Sequence, residues 1–191
     1  MPLPQDLEVE GWERIRTHPN YPHSWLMTRN GTLPYQDFLR TKRQEWIGQG
    51  IEVTEISLPD LLYPFQKALT RWALRKGKAA LWADTGLGKT WMQVAWAEKV
   101  PGRVLILAPL CVSMQTVSEA GRLGITIGHL RSGKQIEITN YEQLHHVDPA
   151  QYQGVVLDES SILKSFDGKT RNRLIAMFRD TPYRLCCTAT P

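Results

Sequence analysis

The sequence predicts an α/β domain, a largely parallel sheet flanked by helices, with a small N-terminal extension. Three observations carry this expectation. Short apolar runs recur between residues 79 and 188. Helical stretches separate most of them. Several runs are apolar nearly throughout, as strands covered on both faces are. A chain of 191 residues is long enough for one domain with a real core plus an appendage. Hydrophobic residues at 42% and charged residues at 22% place it with soluble globular proteins rather than disordered ones.

Residues 1–58 differ in character from residues 59–191. They carry scattered Pro and Trp and turn signals at Asn30-Gly31 and Gly48-Gln49-Gly50. Within them, "PYQDFLRTKRQEWIG" (34–48) predicts one amphipathic helix. Tyr35, Phe38, Leu39 and Trp46 share a face, Pro34 suits the first helical position, and Gly48 suits the end. A domain boundary is therefore expected between residues 58 and 59, with residues 59–191 as the α/β domain. That domain opens with a helix, "YPFQKALTRWALRKG", ending at Gly77. Strands are expected at 79–83, 103–108, 125–130, 135–139, 154–158 and 183–188. Helices are expected at 88–99, 112–123 and 168–179.

The net charge of +4 fits a polyanionic partner without demanding one. Three cysteines are too few for a disulfide framework. Cys186 and Cys187 are adjacent in an apolar run, which points to buried, reduced thiols in a cytosolic protein. The start, "MPLPQDLEVE", lacks the basic and apolar regions of a signal peptide, and no run is long enough for a membrane span.

Chemistry enters at "ADTGLGKT" (83–90), between an expected strand and an expected helix. Gly86 and Gly88 let the backbone curl so that its N–H groups, with that of Thr85, face a phosphate. The helix after the loop adds its positive N-terminal end. Lys89 is placed for the β- and γ-phosphates and Thr90 for Mg²⁺. Ala83 stands where the standard loop has glycine. A plain glycine turn explains Gly86 and Gly88 but not Gly-Lys-Thr at a helix start. Such a loop needs an acidic partner at a strand's carboxyl end, and "GVVLDES" supplies it. Asp158 is the candidate Mg²⁺ ligand, and Glu159 the candidate base for the attacking water.

With these residues in place, residues 59–191 resemble the first RecA-like domain of superfamily-two helicases and translocases. The likeness is to the Swi/Snf-type branch and to phage-encoded helicases of the DEAD/DEAH-like kind. That family tolerates alanine at the first position of the loop. "YPFQ" (63–66) resembles the glutamine motif, in which Gln66 would read the adenine edge. "LILAPLCV" (105–112) and "ITNYEQL" (138–144) resemble motifs that meet the nucleic-acid backbone. They place Pro109, Ser113, Thr139 and Asn140 on that side. "CTATP" (187–191) resembles motif III, with Thr188 and Thr190 coupling the nucleotide site to the track. Ser160 and Ser161 depart from the family, whose best-known branches place Ala-Asp, Ala-His or Gly-His there.

The resemblance implies an ATP-binding motor domain that uses ATP and Mg²⁺ and moves on nucleic acid, double-stranded DNA in particular. It implies a location in the cytoplasm of a bacterium or phage-infected host and no membrane partner. The second RecA-like domain, with its arginine finger, is missing from these 191 residues, so the sequence is expected to be the front half of a motor. Two alternatives remain: the motor part of a restriction-modification complex, and a truncated, non-hydrolysing nucleotide or nucleic-acid binding module.

Other features have plainer readings. Trp91, Met92, Ala95 and Trp96 form a helical stripe expected in the core. Adjacent His145 and His146 lack partners at metal-ligand spacing. Ser113 and Gln115 suit a DNA phosphate or a helix cap equally. Lys164, Lys169, Arg171 and Arg173 suit either a solvated helix start or the nucleic-acid track.

Overall fold

The computed structural model describes residues 12–18, 21–29, 50–53, 56–164 and 168–190. It divides into two compact units, Met1–Ile47 and Gly48–Pro191. In the first, β1 (Trp12–His18) and β2 (Tyr21–Arg29) form an antiparallel hairpin. These strands are absent from the sequence-based expectation. Register shifts between Arg14 and Arg16 and between Thr17 and His18 break the two-residue alternation that would have marked them. The helix expected over residues 34–48 lies outside the described residues.

The second unit takes in residues ahead of Pro59. Val53 and Leu58 are buried in it, and the Ile51 N–H bonds to Leu74 O. Gly50 passes so close to the Leu74 and Arg75 carbonyls that a side chain there would collide with backbone.

Its frame is a six-stranded sheet whose pairings are all parallel. The strands are β3 (Lys78–Trp82), β4 (Val104–Leu107), β5 (Ile127–His129), β6 (Ile136–Thr139), β7 (Gly154–Leu157) and β8 (Tyr183–Thr188). Their order across the sheet is β3-β8-β7-β4-β6-β5. Four helices surround them: α1 (Pro64–Lys76), α2 (Lys89–Lys99), α3 (Leu110–Arg122) and α4 (Lys169–Phe178). The alternation expected from the sequence is thus present, and the sheet is fully rather than largely parallel.

Every residue of β4, β6 and β7 is buried, as the apolar runs of β4 and β7 required; on β6 this includes Glu137 and Thr139. Successive side chains point to opposite faces. On β4, Val104 and Ile106 enter a core with Leu74, Met92 and Trp96, while Leu105 and Leu107 enter a second with Leu144, Leu174 and Phe178. At the edge, β3 is different: Trp82 is exposed, and so is Lys78, a residue type that blunts a free sheet edge. No helix among the described residues is long and apolar enough to cross a membrane.

Helix α1 begins with Pro64 and ends at Gly77, whose φ of 72° lets its N–H reach Ala73 O and Leu74 O. The expected core stripe of α2 is present in Met92, Ala95 and Trp96, all fully buried. Trp91 is the exception. It lies half-exposed, donating its indole N–H to Glu119 of α3, with the Arg122 guanidinium 5.5 Å from its ring centroid.

Candidate nucleotide site and nucleic-acid face

A parallel sheet brings all its strand carboxyl ends to one edge, where ligands bind in such folds. Along that edge the chain places, in order, the loop 83–88 after β3, Thr188 and Thr190 at the end of β8, Asp158 and Glu159 after β7, Pro109 after β4, and Thr139 and Asn140 at the end of β6. The loop and the acidic pair are two strand spacings apart, about 10 Å. Residues spread over a hundred positions therefore form one row.

The loop has the shape its glycines permit. Gly86 and Gly88 have φ of 80° and 73°, and Gly88 caps α2 in a left-handed conformation. Any side chain at Gly88 would also strike the Gln66 amide. Lys89 curls back over the loop, its Nζ 2.9 Å from Ala83 O and 3.2 Å from Asp84 O. The Thr85 N–H bonds to Asp84 Oδ1 at 2.7 Å. Thr90, half-buried, comes next on the first turn of α2. An ammonium held by loop carbonyls above a helix N-terminus suits a polyphosphate, so the donor set fits a nucleotide.

Gln66 is buried, and both ends of its amide are used. Oε1 accepts from Tyr63 N at 2.9 Å and Nε2 donates to Leu87 O at 3.1 Å. It therefore ties the start of α1 to the loop 83–88. One lone pair and one N–H of the amide are left over by these two bonds.

Asp158 is buried at the end of β7. Its N–H bonds to Leu107 O, its carboxylate accepts from Gln93 Nε2 at 2.6 Å, and its carbonyl accepts from the Tyr141 hydroxyl at 2.6 Å. Glu159 has φ 49° and ψ 49°, a left-handed conformation that a non-glycine residue enters at a cost of about 1–3 kcal/mol. It begins the turn Ser160–Leu163, and Thr188 Oγ1 lies 3.5 Å from its Oε2. Thr188 Oγ1 also accepts from Thr190 N. The end of β8 thus meets the acidic pair through Thr188 and Glu159. The Ser161 hydroxyl donates to Glu159 O at 3.4 Å, and the Ser161 carbonyl accepts from Lys164 N at 3.0 Å.

On the β4/β6 side, a cleft of about 390 Å³ is lined by Ser113, Met114, Arg131, Thr139, Asn140 and His146, among others. Ser113 Oγ donates to Pro109 O within its own helix, and Asn140 caps the turn Tyr141–His146 by accepting from Gln143 N. Both residues line this cleft, and both hydrogen bonds are local. Pro109 is the N-cap of α3, and Gln115 is exposed. Cys187 is buried, Cys186 partly buried and Cys111 exposed, all as free thiols.

Two residues of the site, Gln93 and Tyr141, lie beyond the sequence-based expectation. Gln93 is a polar residue inside an otherwise apolar helical face, which is the one signal that could have marked it. Tyr141 sits in an expected motif but reads as an ordinary aromatic.

The backbone arrangement matches solved helicase structures. One is the SWI2/SNF2 ATPase core of Sulfolobus solfataricus in complex with dsDNA: TM-score 0.59, 20% identity, 74% of this chain and 35% of that one. A second is the UvsW helicase of bacteriophage T4: TM-score 0.55, 16% identity, 84% of this chain and 61% of that one. A third is the Hef helicase domain of Pyrococcus furiosus: TM-score 0.55, 20% identity, 71% of this chain and 35% of that one. The fold is that of a RecA-like helicase domain. This chain spans between 35% and 61% of the length of those structures. No family model matches the sequence, and no curated protein matches it significantly. In this strand order a single strand, β8, separates the loop 83–88 from the acidic pair.

Proposed function

We propose that this chain carries the ATP-binding domain of a DNA translocase or helicase, in which ATP hydrolysis drives movement along the nucleic acid. The observation that supports it most is the row at the sheet edge. A Gly-Lys-Thr loop, an acidic pair and a motif III strand adjoin there, beside a cleft bearing Arg131, Thr139 and Asn140.

Bound Mg·ATP supplies the transferable γ-phosphoryl group. The N–H groups of Gly86 and Gly88 would hold the phosphates, joined by that of Thr85 once it leaves Asp84 Oδ1, and Lys89 would exchange its loop carbonyls for phosphate oxygens. Thr90 and Asp158 would hold Mg²⁺. Glu159 would orient the attacking water and accept its proton, with Thr188 Oγ1 steadying its carboxylate. Gln66 offers its remaining donor and acceptor to adenine. Pro109, Ser113, Thr139 and Asn140, with Thr190 beyond Thr188, face double-stranded DNA, whose phosphates a basic surface attracts without sequence preference.

The test is calorimetric titration of Mg·ATP into the wild-type chain and Lys89→Ala. The variant is expected to keep its fold and lose nucleotide affinity at least tenfold. Equal affinity would remove the phosphate-loop assignment.

A further inference from the structure

The Asp158 carboxylate meets a donor from an unexpected place. Gln93 lies one helical turn beyond Lys89 on α2 and is fully buried. Its Nε2 donates to Asp158 Oδ1 at 2.6 Å. The other end of the amide, Oε1, is buried without a hydrogen-bond partner. The same side chain adjoins the Cys187 thiol on β8, the strand between the loop and the acidic pair.

The orientation follows from charge. A carboxylate only accepts, so the amide must present its NH₂. Turning the amide over would set two oxygens against each other. Buried polar atoms are nearly always paired, so an amide with one bare end needs a reason. Leucine or methionine would fill much the same volume without leaving an orphan.

We propose that Gln93 is a positioning residue for the metal site: it holds Oδ1 of Asp158 and leaves Oδ2 as the oxygen offered to Mg²⁺ beside Thr90. The inference rests on the proposed nucleotide site. It adds that the helix carrying Lys89 and Thr90 also orients the carboxylate opposite them. Partners of this kind hold metal ligands in place, and their loss typically lowers metal affinity about 10–100-fold.

Two measurements separate this role from a general structural one. Fluorescent ADP is titrated in EDTA, which reads the phosphate loop alone. Mn²⁺ is then titrated into the protein–ADP complex and followed by electron paramagnetic resonance. For Gln93→Leu, ADP affinity in EDTA should stay within about twofold of wild type, while Mn²⁺ affinity falls about 10–100-fold. Gln93→Met, unbranched and closer in shape, should behave alike and serves if the leucine variant does not fold. Unchanged Mn²⁺ affinity in a folded variant overturns the proposal. So does a parallel fall in EDTA, or failure of both variants to fold, because either makes Gln93 a structural residue. Wild-type protein that binds no ADP in either buffer fails differently: it removes the nucleotide reading and this inference together.

Discussion

The Tyr141 hydroxyl donates a 2.6 Å hydrogen bond to the main-chain carbonyl of Asp158. Tyr141 opens the turn after β6, on the side of the proposed DNA cleft, whereas Asp158 belongs to the proposed metal site. Burial, and then the nearby Asp158 charge, push the phenol above its ordinary range, so it remains a donor at any physiological pH.

Tyr141→Phe keeps the ring and removes this bond. The buried Asp158 carbonyl then loses its partner, at a cost of about 1–3 kcal/mol. A melting temperature lower by several degrees is expected. If the bond couples the two sides, the variant also loses any effect of DNA on nucleotide affinity while keeping nucleotide affinity without DNA. Unchanged stability and unchanged linkage would show that the bond carries neither.

Gln66→Ala should weaken the phosphate loop itself as well as base choice. Its amide joins Tyr63 N to Leu87 O. Both bonds are half-buried, so water replaces them in part and the stability cost is about 1 kcal/mol. ATP and GTP affinities should both fall, ATP more, measured by competition against a fluorescent nucleotide. An ATP/GTP ratio that survives the substitution would limit Gln66 to holding the loop.

Much of this fold is legible in the sequence because parallel strands are buried on both faces. The runs "RVLILA" and "GVVLD" need no subtle pattern to be seen, and β4 and β7 fall within them. The loop is legible because positive φ at Gly86 and Gly88 restricts residue choice. The hairpin β1–β2 is not, because its register shifts erase alternation. Trp91 reads as a core residue because helical periodicity defines a face but not its neighbour; α3 ends its own apolar cover there with Glu119 and Arg122. Gln93 escapes notice because its partner lies 65 residues away on another element.

Glu137 is expected to anchor the far side of the sheet. It is fully buried on β6, 3.0 Å from an Arg103 guanidinium nitrogen, and it accepts from the Tyr152 hydroxyl, Ser132 Oγ and Gly133 N. Burial raises its carboxyl, but the bonds from Tyr152, the Gly133 and Arg131 backbone and Ser132 outweigh this and hold it below the ordinary glutamate value. A depressed folded-state value means that its contribution is complete above the unfolded value, about 4.3, and is lost as pH falls through the folded one. Glu137→Gln should destabilise by about 3 kcal/mol at neutral pH, the low end for breaking a buried pair, because Arg103 keeps partial access to water. Urea denaturation at pH 7 and across the acid range checks both parts. The gap between wild type and variant should shrink as pH falls below about 4.3. A gap that stays constant would assign the loss to packing instead of charge.

The 191-residue chain, assayed alone, is expected to hydrolyse ATP slowly. Phosphoryl transfer depends on positive charge placed against the transferring group. In the proposed site, Lys89 and a Mg²⁺ held by Thr90 and Asp158 would supply part of it. Many arginines of the domain are engaged elsewhere: Arg71 with Ile56 O, Arg103 with Glu137, Arg122 with Glu119, Arg131 with His146 O, and Arg184 with Phe178 O. None of those partners belongs to the phosphate loop or to the acidic pair. An arginine finger is worth roughly 10³–10⁵ in rate, or about 4–7 kcal/mol of barrier. Nucleotide binding without appreciable turnover is the expected result, with little stimulation by DNA. Supplying a second RecA-like domain, in trans or in one polypeptide, should raise phosphate release by a factor in that range, and Glu159→Gln should abolish the gain. Phosphate release is measured for both forms with and without duplex DNA. Fast, DNA-stimulated turnover by the 191 residues alone, lost in Glu159→Gln, would mean that the finger's charge comes from within this chain. Arg173 of α4 would then be the first to replace.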